Sequence, residues 1–248
     1  MPRVTHAAER RIAGLSWWHA IEVAPGVVTP GPWDLRPTAE RMPWPGSLQG
    51  LRCLDIGTMD GFWAFELERR GAGEVLAIDI AERPTFAAAA ELLGSRAGFR
   101  ELDVYDLDLL DVGEFDLVVM GYVLQMLRDP LRGLEAVRRV CRGELVLLET
   151  VSLPLAAIPS PLARLDARRD GREWFVFNRR GLRKVLELAG FEVVATTGTL
   201  RDHPGPGVET DSLSLATRAM HAFGARGRSA ACRARPSRPR PQGARRDE

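Results

Sequence analysis

Leu51-Arg52-Cys53-Leu54-Asp55-Ile56-Gly57-Thr58-Met59-Asp60-Gly61 is the stretch on which the reading of this chain turns. Arg52–Ile56 is a short, largely apolar run of the kind that becomes a strand buried on both faces. Gly57 and Gly61 free the backbone for a tight turn and expose the amide groups of a following helix. That helix is predicted over Phe62–Arg70, and Val75-Leu76-Ala77-Ile78 then makes a second strand ending in Asp79. Strand, turn, helix and strand define one βαβ unit.

The alternation continues on both sides of that unit. Strands are predicted at Arg52–Ile56, Glu74–Ile78, Phe99–Asp103, Phe115–Met120, Glu144–Glu149 and Glu192–Thr196, with helices at Thr85–Leu93, Pro130–Cys141 and Arg180–Ala189. Strands separated by helices imply an α/β class fold with a doubly wound, mostly parallel sheet. Gly71 and Gly190 stand where helices should stop. Upstream, Ile12, Leu15, Trp18 and Ile21 recur at helical spacing, which predicts an amphipathic helix from about Thr5 to Val23. Pro25 to Gly50 is rich in Pro and Gly and reads as an ordered, extended connection. Downstream, Leu213–Thr217 is a candidate final strand, and Arg226 to Glu248 lacks periodicity and reads as disordered. The expected organisation is therefore an N-terminal helix and cap over 1–50, a ligand-binding domain over 51–220 and an Arg/Pro-rich disordered tail over 221–248.

The chain has 248 residues, 45% hydrophobic and 27% charged, enough for a full core. The net charge of +1 hides an asymmetry: from Arg226 onward eight arginines face two acids, so the tail carries +6 and the remainder −5. Lys184 is the single lysine. No apolar run is long enough to span a bilayer and the N-terminus lacks a signal-peptide core, so a cytoplasmic location is expected. Cys53, Cys141 and Cys232 are too scattered for a metal cluster and read as buried thiols.

The turn has its own chemistry. A dinucleotide turn wants Gly-x-Gly-x-x-Gly around a pyrophosphate, but here Met59 takes the middle position and Asp60 follows. Acids are poorly placed beside a pyrophosphate and well placed for a cofactor carrying an ammonium and a sulfonium, so Asp55 and Asp60 favour S-adenosylmethionine. Asp79 suits a bidentate contact to ribose hydroxyls, and Asp103-Val104 would put a carboxylate near an adenine amino group.

Asp55 to Trp63, Asp79 and Phe115-Asp116-Leu117-Val118-Val119 resemble the motifs of class I S-adenosylmethionine-dependent methyltransferases. Val123-Leu124-Gln125-Met126-Leu127-Arg128-Asp129-Pro130 is similar to the segment after the fourth strand in a branch that includes the tRNA wobble-uridine carboxymethyltransferases. Trp17-Trp18-His19-Ala20-Ile21 and Val28-Thr29-Pro30-Gly31 resemble that branch's N-terminal extension, so the likeness runs from His6 to Ala219. It implies a Rossmann-like, seven-stranded sheet whose last strand is antiparallel. It also implies cofactor binding by Asp55, Gly57, Thr58, Gly61, Asp79, Ile80, Asp103 and Val104, with Gly121 and Tyr122 lining the methyl-transfer face. Trp18, His19, Thr29 and Trp33 would close over the cofactor or acceptor. Two departures stand out. Gln125-Met126 replaces an expected Tyr-His, and no lysine precedes Lys184 to hold a carboxymethyl donor's extra carboxylate. Unless Arg36 or Arg41 substitutes, the donated group is a plain methyl.

A sulfonium methyl needs mainly an aligned acceptor, with a general base when that acceptor is a hydroxyl. His19, Tyr122, Glu149 and His203 are the candidates, of which His19, Tyr122 and Glu149 are carried forward as catalytic. Trp18, Trp33, Gln125 and Trp174, with Trp44, are candidates to line an acceptor pocket. The first reading is a methyltransferase acting on a small molecule. The others are a tRNA-modifying enzyme, served by the basic tail as a nucleic-acid partner, a nucleotide-cofactor oxidoreductase or epimerase, and a cofactor-binding protein without catalysis. No oligomeric state is legible.

Overall fold

The computed structural model of the chain describes residues 2–107, 109–165, 173–208 and 228–237. Its sheet is built from β1 (Arg52–Ile56), β2 (Glu74–Asp79), β3 (Gly98–Glu101), β4 (Phe115–Gly121), β5 (Cys141–Thr150), β6 (Phe191–Thr196) and β7 (Arg228–Pro236). The spatial order is β6-β7-β5-β4-β1-β2-β3, and a two-residue strand, Leu200–Arg201, pairs with β7 off this path. Strands β1 to β5 pair in parallel. β7 runs antiparallel to both β5 and β6. The seven strands of the path and the antiparallel last strand agree with the expectation.

Burial explains why the central strands carry unbroken apolar runs. Leu117, Val118, Val119 and Met120 of β4 are each fully buried, and so are Leu145 to Leu148 of β5. Alternate side chains enter two cores. Leu117, Val119, Val146 and Leu148 pack with α2 (Phe62–Arg69) and α3 (Pro84–Leu93), and α1 (Pro2–Ile12) joins the same face. Val118, Met120, Leu145 and Leu147 pack with α4 (Pro130–Val140) and α5 (Arg179–Leu188) on the other. Side-chain caps start α4 and α5: Asp129 accepts the Arg132 N–H at 3.0 Å and Asn178 the Gly181 N–H at 2.7 Å.

Two expectations are corrected. The N-terminal helix ends at Ile12, and by Glu22–Ala24 the chain is a strand in a small hairpin with Val27–Val28. Gly14 takes a φ of 78°, and the N–H groups of Trp18 and His19 bond to the Asp60 carboxylate instead of to helical carbonyls. Helical spacing persisted while the backbone had another partner.

The larger correction is the tail. Residues 228–236, expected to be disordered, form β7 in the interior of the sheet, while 221–227 and 238–248 lie outside the described residues. Ser229, Ala230, Ala231, Cys232 and Ala234 are buried, and Arg233 and Arg235 pair with Glu144 and Glu192 of the neighbouring strands. Ala and Arg carry little strand propensity, so burial between two strands decides the conformation. The candidate strand at Leu213–Thr217 also lies outside the described residues.

Candidate functional site

The strand order reverses between β1 and β4, and the carboxyl ends of these strands open the crevice where ligands bind in such sheets. Ile56 pairs with Met120, so the chain leaves the sheet side by side at Gly57 and Gly121. Immediately beyond, Met59 (φ 47°) and Tyr122 (φ 59°) are the non-glycine residues with positive φ among those described. Strained backbone at a crevice is a mark of function. Both glycines are required by close approach. A Cβ at Gly57 would lie 2.4 Å from Val123 Cγ2, and one at Gly121 2.4 Å from Trp63 Nε1.

The four acids of the motif divide into inner and outer pairs. Asp55 is fully buried, accepts the Ala64 N–H at 3.0 Å and so caps the first turn of α2; burial pushes its carboxyl up to about 7. Asp60 is 1% exposed and accepts three bonds, from Trp18 N at 2.6 Å, His19 N at 2.8 Å and Thr85 Oγ1 at 2.6 Å. Both carboxylates expected to face a cationic cofactor make contacts within the fold: all three bonds of Asp60 go to the N-terminal segment and Thr85, whereas Asp55 gives Oδ2 to the helix and leaves Oδ1 without a partner among the described residues. Asp79 remains half-buried at the end of β2, with Oδ2 accepting Met59 N at 2.9 Å and Oδ1 accepting Ile80 N at 2.8 Å. Ile80 beside it is 70% exposed. Asp103 is exposed at the end of the β3 segment, where it caps the turn Val104–Asp106, and Val104 is buried.

The catalytic candidates are placed differently from one another. His19 is 8% exposed, with Nδ1 at 3.7 Å from Asp60 Oδ2; burial brings the imidazole down to about 4 against the pull of that carboxylate, so it is neutral. Glu149 is buried and holds the turn after β4, accepting Leu124 N at 2.7 Å and, more weakly, Gln125 N at 3.4 Å. Burial pushes it up to about 8. The geometry makes it an anchor for that loop rather than an open base. Tyr122 donates its phenol to Asp202 at 2.9 Å; burial, reinforced by the Asp202 charge, raises its pKa, so it stays protonated. His203 lies on the two-residue strand His203–Pro204, opposite Asp34.

Among the acceptor-pocket candidates, Trp18 and Trp33 are half-buried in the N-terminal segment, joined by Trp33 N to Trp18 O at 3.2 Å. Thr29 is fully buried and ties His19 O to Ile21 N, so it shapes that segment from inside. Trp174 N bonds Gln125 O at 2.7 Å, with the Arg128 guanidinium 4.6 Å over the indole. Gln125 is buried and its Oε1 meets no partner among the described residues. Trp44 is half-buried and packs against the core, with its indole 6.1 Å from Trp63 and its Nε1 bonded to Ala39 O. Arg36 is gripped bidentately by Asp34, which removes it as the carboxylate-holding substitute. Asp202 and Ser229, missed in the sequence, lay in a polar loop and in the supposed tail.

A hollow of about 400 Å3 lined by Leu107, Leu110, Val112, Arg139 and Val140 lies at the amino edge of the sheet and holds none of these residues. Among the described residues no group of His, Cys, Asp and Glu could hold a metal, and no helix is long and apolar enough to cross a membrane.

A family model described as a methyltransferase domain matches residues 34–196, more than half of the chain. The chain belongs to this methyltransferase family. It is 31% identical to the ubiquinone biosynthesis O-methyltransferase of Leptothrix cholodnii over 43% of the chain and 47% of that protein. With the tRNA U34 carboxymethyltransferase of Alcanivorax borkumensis it shares 34% over 42% of the chain and 34% of that protein. The matches thus span less than half the length of these curated relatives. The fold is shared with the 1,6-didemethyltoxoflavin-N1-methyltransferase of Burkholderia thailandensis (TM-score 0.57, 18% identity, 82% of this chain and 78% of that one). It is also shared with the [4+2]-cyclase SpnF (TM-score 0.60, 19% identity, 94% and 93%). In this methyltransferase domain, His19, Trp33, Asp202 and Ser229 all fall outside the matched stretch.

Proposed function

We propose that the chain binds S-adenosylmethionine at the carboxyl ends of β1 to β3 and methylates a small-molecule acceptor held over β4, β5 and β7. The observation that carries the first half is Asp79. Its oxygens are fixed by the Met59 and Ile80 amides, it is half-open to solvent, and each oxygen keeps a lone pair for a ribose hydroxyl. Ile80, largely exposed beside it, offers an apolar face to an adenine. The donor set therefore fits an adenosine cofactor, with Asp103 as the outer acid.

When bound, S-adenosylmethionine supplies a methyl group already activated on a sulfonium. The protein's part is to position, exclude water and manage a proton. Asp60 fastens the backbone of Trp18 and His19 against the glycine turn, so the N-terminal segment covers the crevice. Glu149 fixes the turn that carries Gln125. Neutral His19 can accept a hydrogen bond but is a weak base at neutral pH.

A small acceptor is favoured over a nucleic acid because two of the three arginines on β7 are paired within the sheet, Arg233 with Glu144 and Arg235 with Glu192. Related proteins named for quinone precursors support the same choice. Calorimetric titration with S-adenosylmethionine, S-adenosylhomocysteine and NAD tests the cofactor: binding of NAD alone refutes the proposal.

A further inference from the structure

Three side chains that converge on the acceptor half of the edge carry an inference about what can be methylated. Tyr122 follows β4, Asp202 lies between the short strands Leu200–Arg201 and His203–Pro204, and Ser229 on β7 stands opposite Thr150, the last residue of β5. The Tyr122 phenol donates to Asp202 Oδ1 at 2.9 Å and the Ser229 hydroxyl donates to the same oxygen at 2.7 Å. Each hydroxyl has one proton, and both protons are directed at the carboxylate. Ser229 is fully buried, so what the cluster can turn toward a ligand is lone pairs only, on Asp202 Oδ2 and Tyr122 Oη, both on half-buried residues. Both hydrogen bonds of Asp202 among the described residues fall on Oδ1.

We infer that Asp202 and Tyr122, with Asp202 held from behind by buried Ser229, form an acceptor subsite that takes a neutral hydrogen-bond donor, a hydroxyl or an N–H, and rejects a carboxylate. The left-handed backbone of Tyr122 is a second, independent sign, since a bulky residue holds that conformation only where its surroundings impose it. The surrounding charges keep the arrangement. Burial and the Asp202 charge hold the phenol protonated, with Glu149 of β5 acting in the same sense; burial also raises the Asp202 carboxyl, and the hydrogen bonds from Ser229 and Tyr122 and the charges of His203 and Arg228 oppose that rise. Asp202 and Ser229 lie beyond the family-matched residues 34–196. The subsite gains its meaning as an acceptor site from the methyltransferase proposal, but its hydrogen-bond polarity does not depend on it.

Two measurements on the full chain test the inference. The chain has two tyrosines, Tyr105 and Tyr122, so a Tyr105→Phe background leaves one for ultraviolet titration of the phenolate. Tyr122 should titrate above the ordinary value of about 10, and Asp202→Asn should bring the midpoint down. A midpoint that is ordinary and unmoved by Asp202→Asn overturns the cluster. The second measurement compares catechol with benzoate, flat rings that present donors or a carboxylate, in the presence of S-adenosylhomocysteine. Catechol should bind at least about tenfold more tightly, and Asp202→Asn, which places amide hydrogens in the site, should collapse that preference. If that variant fails to fold, Asp202→Ala, which removes the carboxylate, must show the same loss. Catechol that binds no better than benzoate, or not at all, overturns the inference. Failure of S-adenosylhomocysteine to bind while the tyrosine signature holds refutes the cofactor proposal instead.

Discussion

Asp60 Oδ2 lies 2.8 Å from the His19 amide nitrogen and 3.7 Å from the same residue's Nδ1, so one buried oxygen faces both the backbone and the ring of His19. Asp60→Ala would strand three donors, the amides of Trp18 and His19 and the Thr85 hydroxyl. At 1–3 kcal/mol for each buried group left unpaired, the expected loss is about 3 kcal/mol after partial relaxation. Urea denaturation measures it. S-adenosylhomocysteine affinity should also fall in this variant, because the N-terminal cover is released from the turn.

Deleting everything after Phe223 should destroy the fold. It removes β7, leaving β5 and β6 without the strand that joins them. A gentler probe is Ala231→Asp, which puts an unpaired carboxylate at a position with no exposure. Loss of more than about 3 kcal/mol in urea denaturation is expected, and a near-native midpoint would contradict the placement of β7.

Asp79→Ala should weaken S-adenosylhomocysteine binding by an order of magnitude or more, as charge-assisted bonds to the ribose disappear and the Met59 and Ile80 amides lose their acceptor. Titration calorimetry reads this directly. Asp79→Asn, which keeps an acceptor oxygen, should fall between the two.

Stability should drop as pH rises from about 6.5 through neutrality to about 8. Glu149 moves from 4.5 to about 8 on folding and Asp55 from 3.8 to about 7, so between those values the folded chain holds protons that the unfolded chain has released. Stability tied to such groups is complete below the unfolded pKa and lost as pH passes the folded one. His19 acts oppositely, costing stability only as pH falls from 6.5 toward 4. The urea midpoint should therefore decline from pH 6.5 to 8.5, and Glu149→Gln, which keeps the bond to Leu124, should flatten the decline.

The legible parts of this fold were those where local pattern and burial agree. Leu117 to Met120 and Leu145 to Leu148 are apolar because both faces are covered, and the glycine turn announces itself by spacing. Asp79 was readable because strand register put it at an edge. The contacts of Asp60 were not legible because a carboxylate near a ligand turn looks the same whether it faces the ligand or the backbone. Only tertiary structure brings Trp18, His19 and Thr85 to Asp60. β7 was illegible for a different reason: its interior positions are alanines, a serine and a cysteine, small enough to fit between packed strands and with no run of large apolar residues.

The position of β7 also bears on how the protein is made. Among the strands of the sheet it is the last to leave the ribosome, yet it sits between β5 and β6. Until it arrives, β5 is an apolar edge strand with open amide and carbonyl groups, and β6 has nothing to pair with. Nascent chains should therefore pass through a stage prone to edge-to-edge association, closed only by an arginine-flanked strand whose charges discourage a second copy from taking the same place.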